Sequence, residues 1–147
     1  MKTLLRATLF AVTAFTLSNA AAQNAATAAA AKEDGAVVTP SGLVYRSLKD
    51  GTGASPAAND TVKVHYRGTF PDGKEFDSSY KRGQPIEFPL GGVIKCWTEG
   101  VQRVKVGGKA KLTCPPAIAY GERGAGGVIP PNATLVFEVE LLAVNGK

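Results

Sequence analysis

Thr61-Val62-Lys63-Val64-His65-Tyr66-Arg67-Gly68-Thr69-Phe70 alternates apolar Val62, Val64 and Tyr66 with polar Lys63, His65 and Arg67. Successive side chains of a strand point to opposite faces, so this period of two describes a strand with one face buried. Pro71-Asp72-Gly73-Lys74 follows directly. Proline presets φ at the second position of a turn and Asp-Gly closes it, so a second strand is expected to return through Glu75-Phe76-Asp77. The stretch as a whole reads as a β-hairpin.

Working outward, Leu43-Val44-Tyr45 begins an earlier strand, and Asp50-Gly51-Thr52-Gly53 stacks turn formers that reverse the chain. On the other side, Val93, Ile94, Trp97, Val101 and Val104 fall at helical spacing until Gly107-Gly108 stops the run, which predicts one helix over residues 93–104. A strand is expected at Lys109-Ala110-Lys111-Leu112-Thr113-Cys114. After a loop rich in Pro and Gly, another runs from Thr134 to Val144, where Leu135, Phe137, Val139 and Leu141 alternate with Val136, Glu138, Glu140 and Leu142. Strands surround one helix and no βαβ rhythm appears. The expected class is α+β, an antiparallel sheet packed on a short helix.

The first residues read differently. Lys2 and Arg6 precede the apolar run Leu9 to Leu17, and small residues follow at Ser18-Asn19-Ala20 and Ala20-Ala21-Ala22, the pattern of a secretory signal peptide over residues 1–22. A bilayer span needs roughly 20 predominantly apolar residues, and this run is shorter and broken by threonines. Residues 23–38, mostly alanine with Gln, Asn and Thr up to Lys32, offer few large apolar side chains and read as a flexible tether with at most a short, frayed helix. Residues 39–147 have the size and apolar content of a single domain.

The chain carries 17 basic and 12 acidic residues, a net charge of +5 that falls to +3 when Lys2 and Arg6 leave with the signal. Basic residues such as Lys63, Arg67, Lys95, Arg103 and Lys111 are scattered, with no dense block interleaved with aromatics, so nucleic acid is not an expected partner. His65 is the only histidine, and Cys96 and Cys114 lack the paired short spacings of zinc sites, so neither a metal nor a cofactor is expected. No Cys-x-x-Cys pair, phosphate-binding loop or nucleophile elbow is present. His65 alternates onto the polar face of its strand and reads as a structural hydrogen-bonding residue. In an exported chain the two cysteines suggest one disulfide, Cys96–Cys114, joining the helix to the next strand.

What the chain does supply is a set of apolar residues at loop edges: Tyr66, Phe76, Ile86, Phe88, Val93, Ile94, Trp97, Tyr120, Val128, Ile129 and Phe137. Several stand within ordered motifs: Val64-His-Tyr-Arg-Gly-Thr-Phe-Pro-Asp-Gly-Lys-Glu-Phe-Asp-Ser-Ser79, Val93-Ile-Lys-Cys-Trp-Thr-Glu-Gly100, Ala119-Tyr-Gly121 and Ile129-Pro-Pro-Asn-Ala-Thr-Leu-Val-Phe137. Together, from about Leu43 to Val144, they resemble the FKBP family. The resemblance implies a bent antiparallel sheet wrapped around one helix, cofactor-independent peptidyl-prolyl cis-trans isomerase activity on proline-containing polypeptides, and inhibition by macrolides such as rapamycin. Carried across by motif, Trp97 would floor the pocket, with Tyr66, Phe76, Val93, Ile94 and Phe137 as walls and Asp77 and Tyr120 as the polar rim. Phe76, Asp77, Trp97, Tyr120 and Phe137 would carry catalysis, and Tyr66, Ile86, Val93, Ile94, Val128 and Ile129 would bind substrate.

Departures from the family pattern lie at Cys96, where many members have glycine, at Ile86, where some have an aromatic, and at Ala125, where some have histidine; they bear on substrate and partner preference. Two other readings stay open from the residues: a chaperone that holds unfolded chains in the same pocket, and a surface protein that uses the fold only to bind a partner. A periplasmic or secreted location and a monomer are expected, since the short tether does not match the long helical dimerisation segment of larger secreted relatives.

Overall fold

The computed structural model of the protein describes residues 19–145, with side chains from residue 24. The expected signal peptide, residues 1–22, lies outside the described residues except for the last four. Helix α1 (Asn19–Ala31) is followed by strands β1 (Ala36–Val38), β2 (Val44–Lys49), β3 (Thr61–Thr69) and β4 (Glu75–Ser78), the single-turn helix α2 (Ser79–Arg82) and β5 (Ile86–Pro89). Helix α3 (Lys95–Val101), β6 (Lys109–Cys114) and β7 (Leu135–Val144) complete the chain.

All strand pairings are antiparallel, in the order β1-β2-β6-β7-β3-β4, and the free edge of β3 is shared: β5 pairs with residues 61–64 and β4 with residues 67–69. The class is α+β. The hairpin turn closes through Phe70 N–H to Lys74 C=O and Gly73 N–H to Phe70 C=O, each 2.9 Å, while Asp72 accepts from the Lys74 N–H. In β3, Val62, Val64 and Tyr66 are buried, as are Leu135, Phe137, Val139 and Leu141 in β7. These inward residues form one core with Leu43, Leu112 and the helix residues Trp97 and Val101. At Gly100 a Cβ would stand 2.7 Å from Leu112, so glycine lets α3 lie close against the sheet.

Three expectations meet differences. The helix expected over 93–104 is confined to Lys95–Val101, because Ile94 is extended (φ −57°, ψ 148°) and serves as its N-cap. Strand β5 and helix α2 have no counterpart in the periodicity of the sequence; Ser78 caps α2 by accepting from the Lys81 N–H at 3.2 Å. The stretch expected as a tether, 23–38, contains the end of α1 and all of β1, so the sheet begins at Ala36 and not at residue 39. Alanine's helix propensity and an anchor explain this: Ala30 is buried, and Glu33 accepts from Lys111 at 2.7 Å and Arg46 at 3.1 Å. The Lys111 hydrogen bond, outweighing burial, holds the Glu33 carboxyl below its ordinary pKa.

Cys96 and Cys114 form a disulfide, and both are fully buried. His65 stacks on Tyr80 with ring centroids 4.6 Å apart, and its Nδ1 lies 2.9 Å from the Ser79 hydroxyl.

Candidate active site

The concave side of the sheet and the N-terminal end of α3 enclose a pocket of about 350 Å³. Trp97, on the first turn of α3, is 4% exposed and forms its base. Three rings meet the indole edge-to-face: Tyr66 at 5.2 Å, Phe88 at 5.4 Å and Phe137 at 5.4 Å between centroids. Such perpendicular pairs fix ring orientation as well as burying area. Among the described residues the buried indole Nε1 has no hydrogen-bond partner. Phe76 closes the wall against Phe137 at 5.6 Å, and Val93 and Ile94 supply the helix-side wall.

Gly68 makes the Phe76 wall feasible. A Cβ at that position would lie 2.6 Å from Phe76 Cζ and 2.9 Å from Phe137 Cε1, inside any normal contact distance. Glycine inside a strand marks such a close approach, and this signal was available in the sequence.

The polar side is built from β3, β4 and α2. The Tyr66 hydroxyl donates to one Asp77 oxygen, and Arg82 Nη1 donates to the other at 2.5 Å. Arg82 Nη2 also donates to the Tyr66 hydroxyl at 3.0 Å. Burial, the largest influence on the Asp77 carboxyl, pushes its pKa up, but the Tyr66 and Arg82 hydrogen bonds and the guanidinium charge outweigh it, so Asp77 is held below the usual carboxylate range and is ionised at neutral pH. Burial and the Asp77 carboxylate push the Tyr66 phenol up, so it stays protonated as a donor. Tyr120 lines the opposite rim and is 40% exposed; among the described residues its hydroxyl has no hydrogen-bond partner. The Ile94 N–H is likewise unpaired among the described residues, as expected for a donor at a helix N-cap.

Of the residues singled out in the sequence, the pocket brings together Tyr66, Phe76, Asp77, Val93, Ile94, Trp97, Tyr120 and Phe137. Ile86 is outside the lining: it packs against the core from β5, and Phe88, two residues on along the same face, takes the pocket position. Val128 is 56% exposed and also outside it. Ile129 is buried in the core, where its N–H donates back to the Ala125 carbonyl across a tight loop. Arg82 and Phe88 were not placed in the site from sequence. An exposed arginine gives no periodic signal, and Phe88 lies in a four-residue strand that ends in proline.

Among the described residues no group of three or more His, Cys, Asp or Glu could hold a metal ion, and no helix is long and apolar enough to cross a membrane.

Sheet, helix and pocket together define a small α+β domain with an apolar pocket over a tryptophan floor, beside a fixed carboxylate. A family model, FKBP-type peptidyl-prolyl cis-trans isomerase, matches residues 53–142. The FKBP-type peptidyl-prolyl cis-trans isomerase FkpA of Escherichia coli (strain K12) is 56% identical over 114 residues, 78% of this chain and 42% of that protein. The FK506-binding protein 1 of Dictyostelium discoideum is 56% identical over 103 residues, 69% of this chain and 96% of that protein. The crystal structure of E. coli FkpA superposes with a TM-score of 0.83 at 52% identity, covering 86% of this chain and 59% of the other. A peptidyl-prolyl cis-trans isomerase from Pseudomonas syringae pv. tomato gives 0.80 at 40% identity, covering 86% and 92%. The chain belongs to the FKBP-type peptidyl-prolyl cis-trans isomerase family, and it spans less than half the length of E. coli FkpA.

Proposed function

We propose that the chain accelerates cis–trans isomerisation of X-Pro bonds in polypeptides that fold after export. The observation that carries this reading is the 350 Å³ pocket with its Trp97 floor, its aromatic walls and a single ionised carboxylate at the edge. The proline ring rests on Trp97 between Tyr66, Phe76, Phe88 and Phe137. Rotation about the bond faces a barrier of about 20 kcal/mol that comes from amide resonance, and no bond breaks. An apolar cavity disfavours the charge-separated planar amide, and groups fitted to the twisted form stabilise the transition state above the ground state. Each ~1.4 kcal/mol gained there is tenfold in rate.

The two unpaired donors suit such a site, where Tyr120 Oη and Ile94 N–H take substrate carbonyls. Asp77 has both carboxylate oxygens occupied, by Tyr66 and Arg82, so it acts through its field near the twisting bond and not as a proton donor. Rapamycin occupies the same pocket. One chain contains every pocket residue, so a monomer suffices. The Cys96–Cys114 disulfide fits an oxidising compartment, periplasmic or extracellular.

The test is isomerisation of a short X-Pro peptide by the wild type, Tyr120→Phe and Asp77→Ala, with and without rapamycin. Rapamycin-sensitive acceleration, weakened in both variants, is expected. No acceleration by folded wild-type protein would overturn the reading in favour of a chaperone that only holds its clients.

A further inference from the structure

Val93 is shared between the proline pocket and a second, open groove of about 790 Å³ on the outer face of α3. Gly91, Val93 and Ile118 give this groove an apolar floor, and Lys95 and Arg103 stand on its walls. Arg103 is also shared with a third cleft, about 270 Å³, that contains Lys49 and Lys105. The three concavities are therefore neighbours, adjoining at Val93 and at Arg103, and four exposed cations border the outer two.

Two carboxylates also line these concavities and keep their negative charge, so the cations exceed them by four to two. Glu99 accepts the Ser41 hydroxyl at 2.5 Å, and Asp50 accepts the Ser47 hydroxyl at 2.7 Å. The Arg103 guanidinium lies 5.9 Å over the Tyr45 ring, and among the described residues neither Lys95 nor Arg103 has an ion-pair partner. A surface that adjoins the proline pocket, apolar in part and carrying more cations than carboxylates, is complementary to an extended chain bearing acidic side chains.

We infer that this groove is a subsite for the substrate segment flanking the proline, and that it favours segments with Asp or Glu several residues from the X-Pro bond. The inference rests on the proline pocket being the isomerase site. The groove adds specificity through the peptide outside the reacting bond.

The test compares kcat/KM of the whole chain on five peptides: an unextended Ala-Leu-Pro-Phe, and the same peptide with three Glu or three Lys residues added on one side or on the other. At low ionic strength the Glu-extended peptide on at least one side is expected to exceed its Lys counterpart by about three- to tenfold, the range that two exposed charge pairs supply, and the ratio should shrink in salt. In Lys95→Glu/Arg103→Glu the ratio is expected to fall to one or invert. A wild type that accelerates the unextended peptide but shows a ratio of one on both sides overturns the subsite alone. A ratio that survives the double substitution unchanged also overturns it. A folded wild type that fails to accelerate the unextended peptide overturns the pocket reading and this inference with it.

Discussion

Replacing Gly68 by alanine is the sharpest test of how the pocket wall is held. The new methyl would stand 2.6 and 2.8 Å from Phe76 ring atoms and 2.9 Å from Phe137 Cε1. Carbon contacts settle near 3.5–4.0 Å, so the Phe76 ring must withdraw by about 1 Å. It has little room: Phe70 lies on it at 5.0 Å between centroids and Phe137 at 5.6 Å, and Phe137 is in turn braced on Trp97. Overpacking of this kind costs about 1–3 kcal/mol, and a wall displaced by about 1 Å is expected to lower kcat/KM on a proline peptide by roughly 10–100-fold. Urea unfolding followed by tryptophan fluorescence reads the first quantity and the peptide assay the second. A folded Gly68→Ala variant with wild-type stability and wild-type kcat/KM would refute the claim that this glycine sets the wall.

Removing the disulfide as Cys96→Ala/Cys114→Ala releases a loop of sequence separation 18 and should cost about 3 kcal/mol on the loop-closure estimate; equal urea midpoints with and without a reductant would contradict it. Asp77 has a folded-state pKa below its unfolded value, so its stabilisation is complete above the unfolded pKa, near 4, and is lost as pH falls through the folded one. The stability gap between wild type and Asp77→Asn should therefore be flat from about pH 8 to pH 5 and narrow below about pH 4; a gap that widens on acidification would reverse the assignment. Glu33→Ala removes the shared partner of Arg46 and Lys111 beside α1, a half-buried cluster worth about 1 kcal/mol globally. Its expected signature is local, faster amide exchange over residues 24–38, and unchanged exchange would show that Ala30 packing and the β1–β2 pairing hold this stretch without Glu33.

The hairpin, β6, β7 and the central helix were legible because each repeats its burial pattern over several residues: Val62, Val64 and Tyr66 in β3, and Leu135, Phe137, Val139 and Leu141 in β7, face one way throughout. Strand β5 was not, because Ile86-Glu87-Phe88-Pro89 offers only two inward positions, and its place is decided by pairing with β3. That hid Phe88 and made Ile86 the nearer candidate. The apolar pair Val128 and Ile129 looked alike in sequence, yet a loop closed by hydrogen bonds between Ala125 and Ile129 turns one outward and the other inward. Arg82 belongs to the site through Gly83-ended α2, whose single turn is too short for any periodicity to announce.

The polar group Tyr66–Asp77–Arg82 spans only 17 residues of chain, yet its Tyr66 ring also meets Trp97 of α3 edge-to-face, and the Trp97 floor depends in turn on contacts to β7 far along the sequence. Tyr66 therefore joins the polar edge of the pocket to its floor. Substitutions at Asp77 or Arg82 retune the charge at the pocket edge while leaving the Tyr66–Trp97 contact in place, whereas a change at Tyr66 alters edge and floor together.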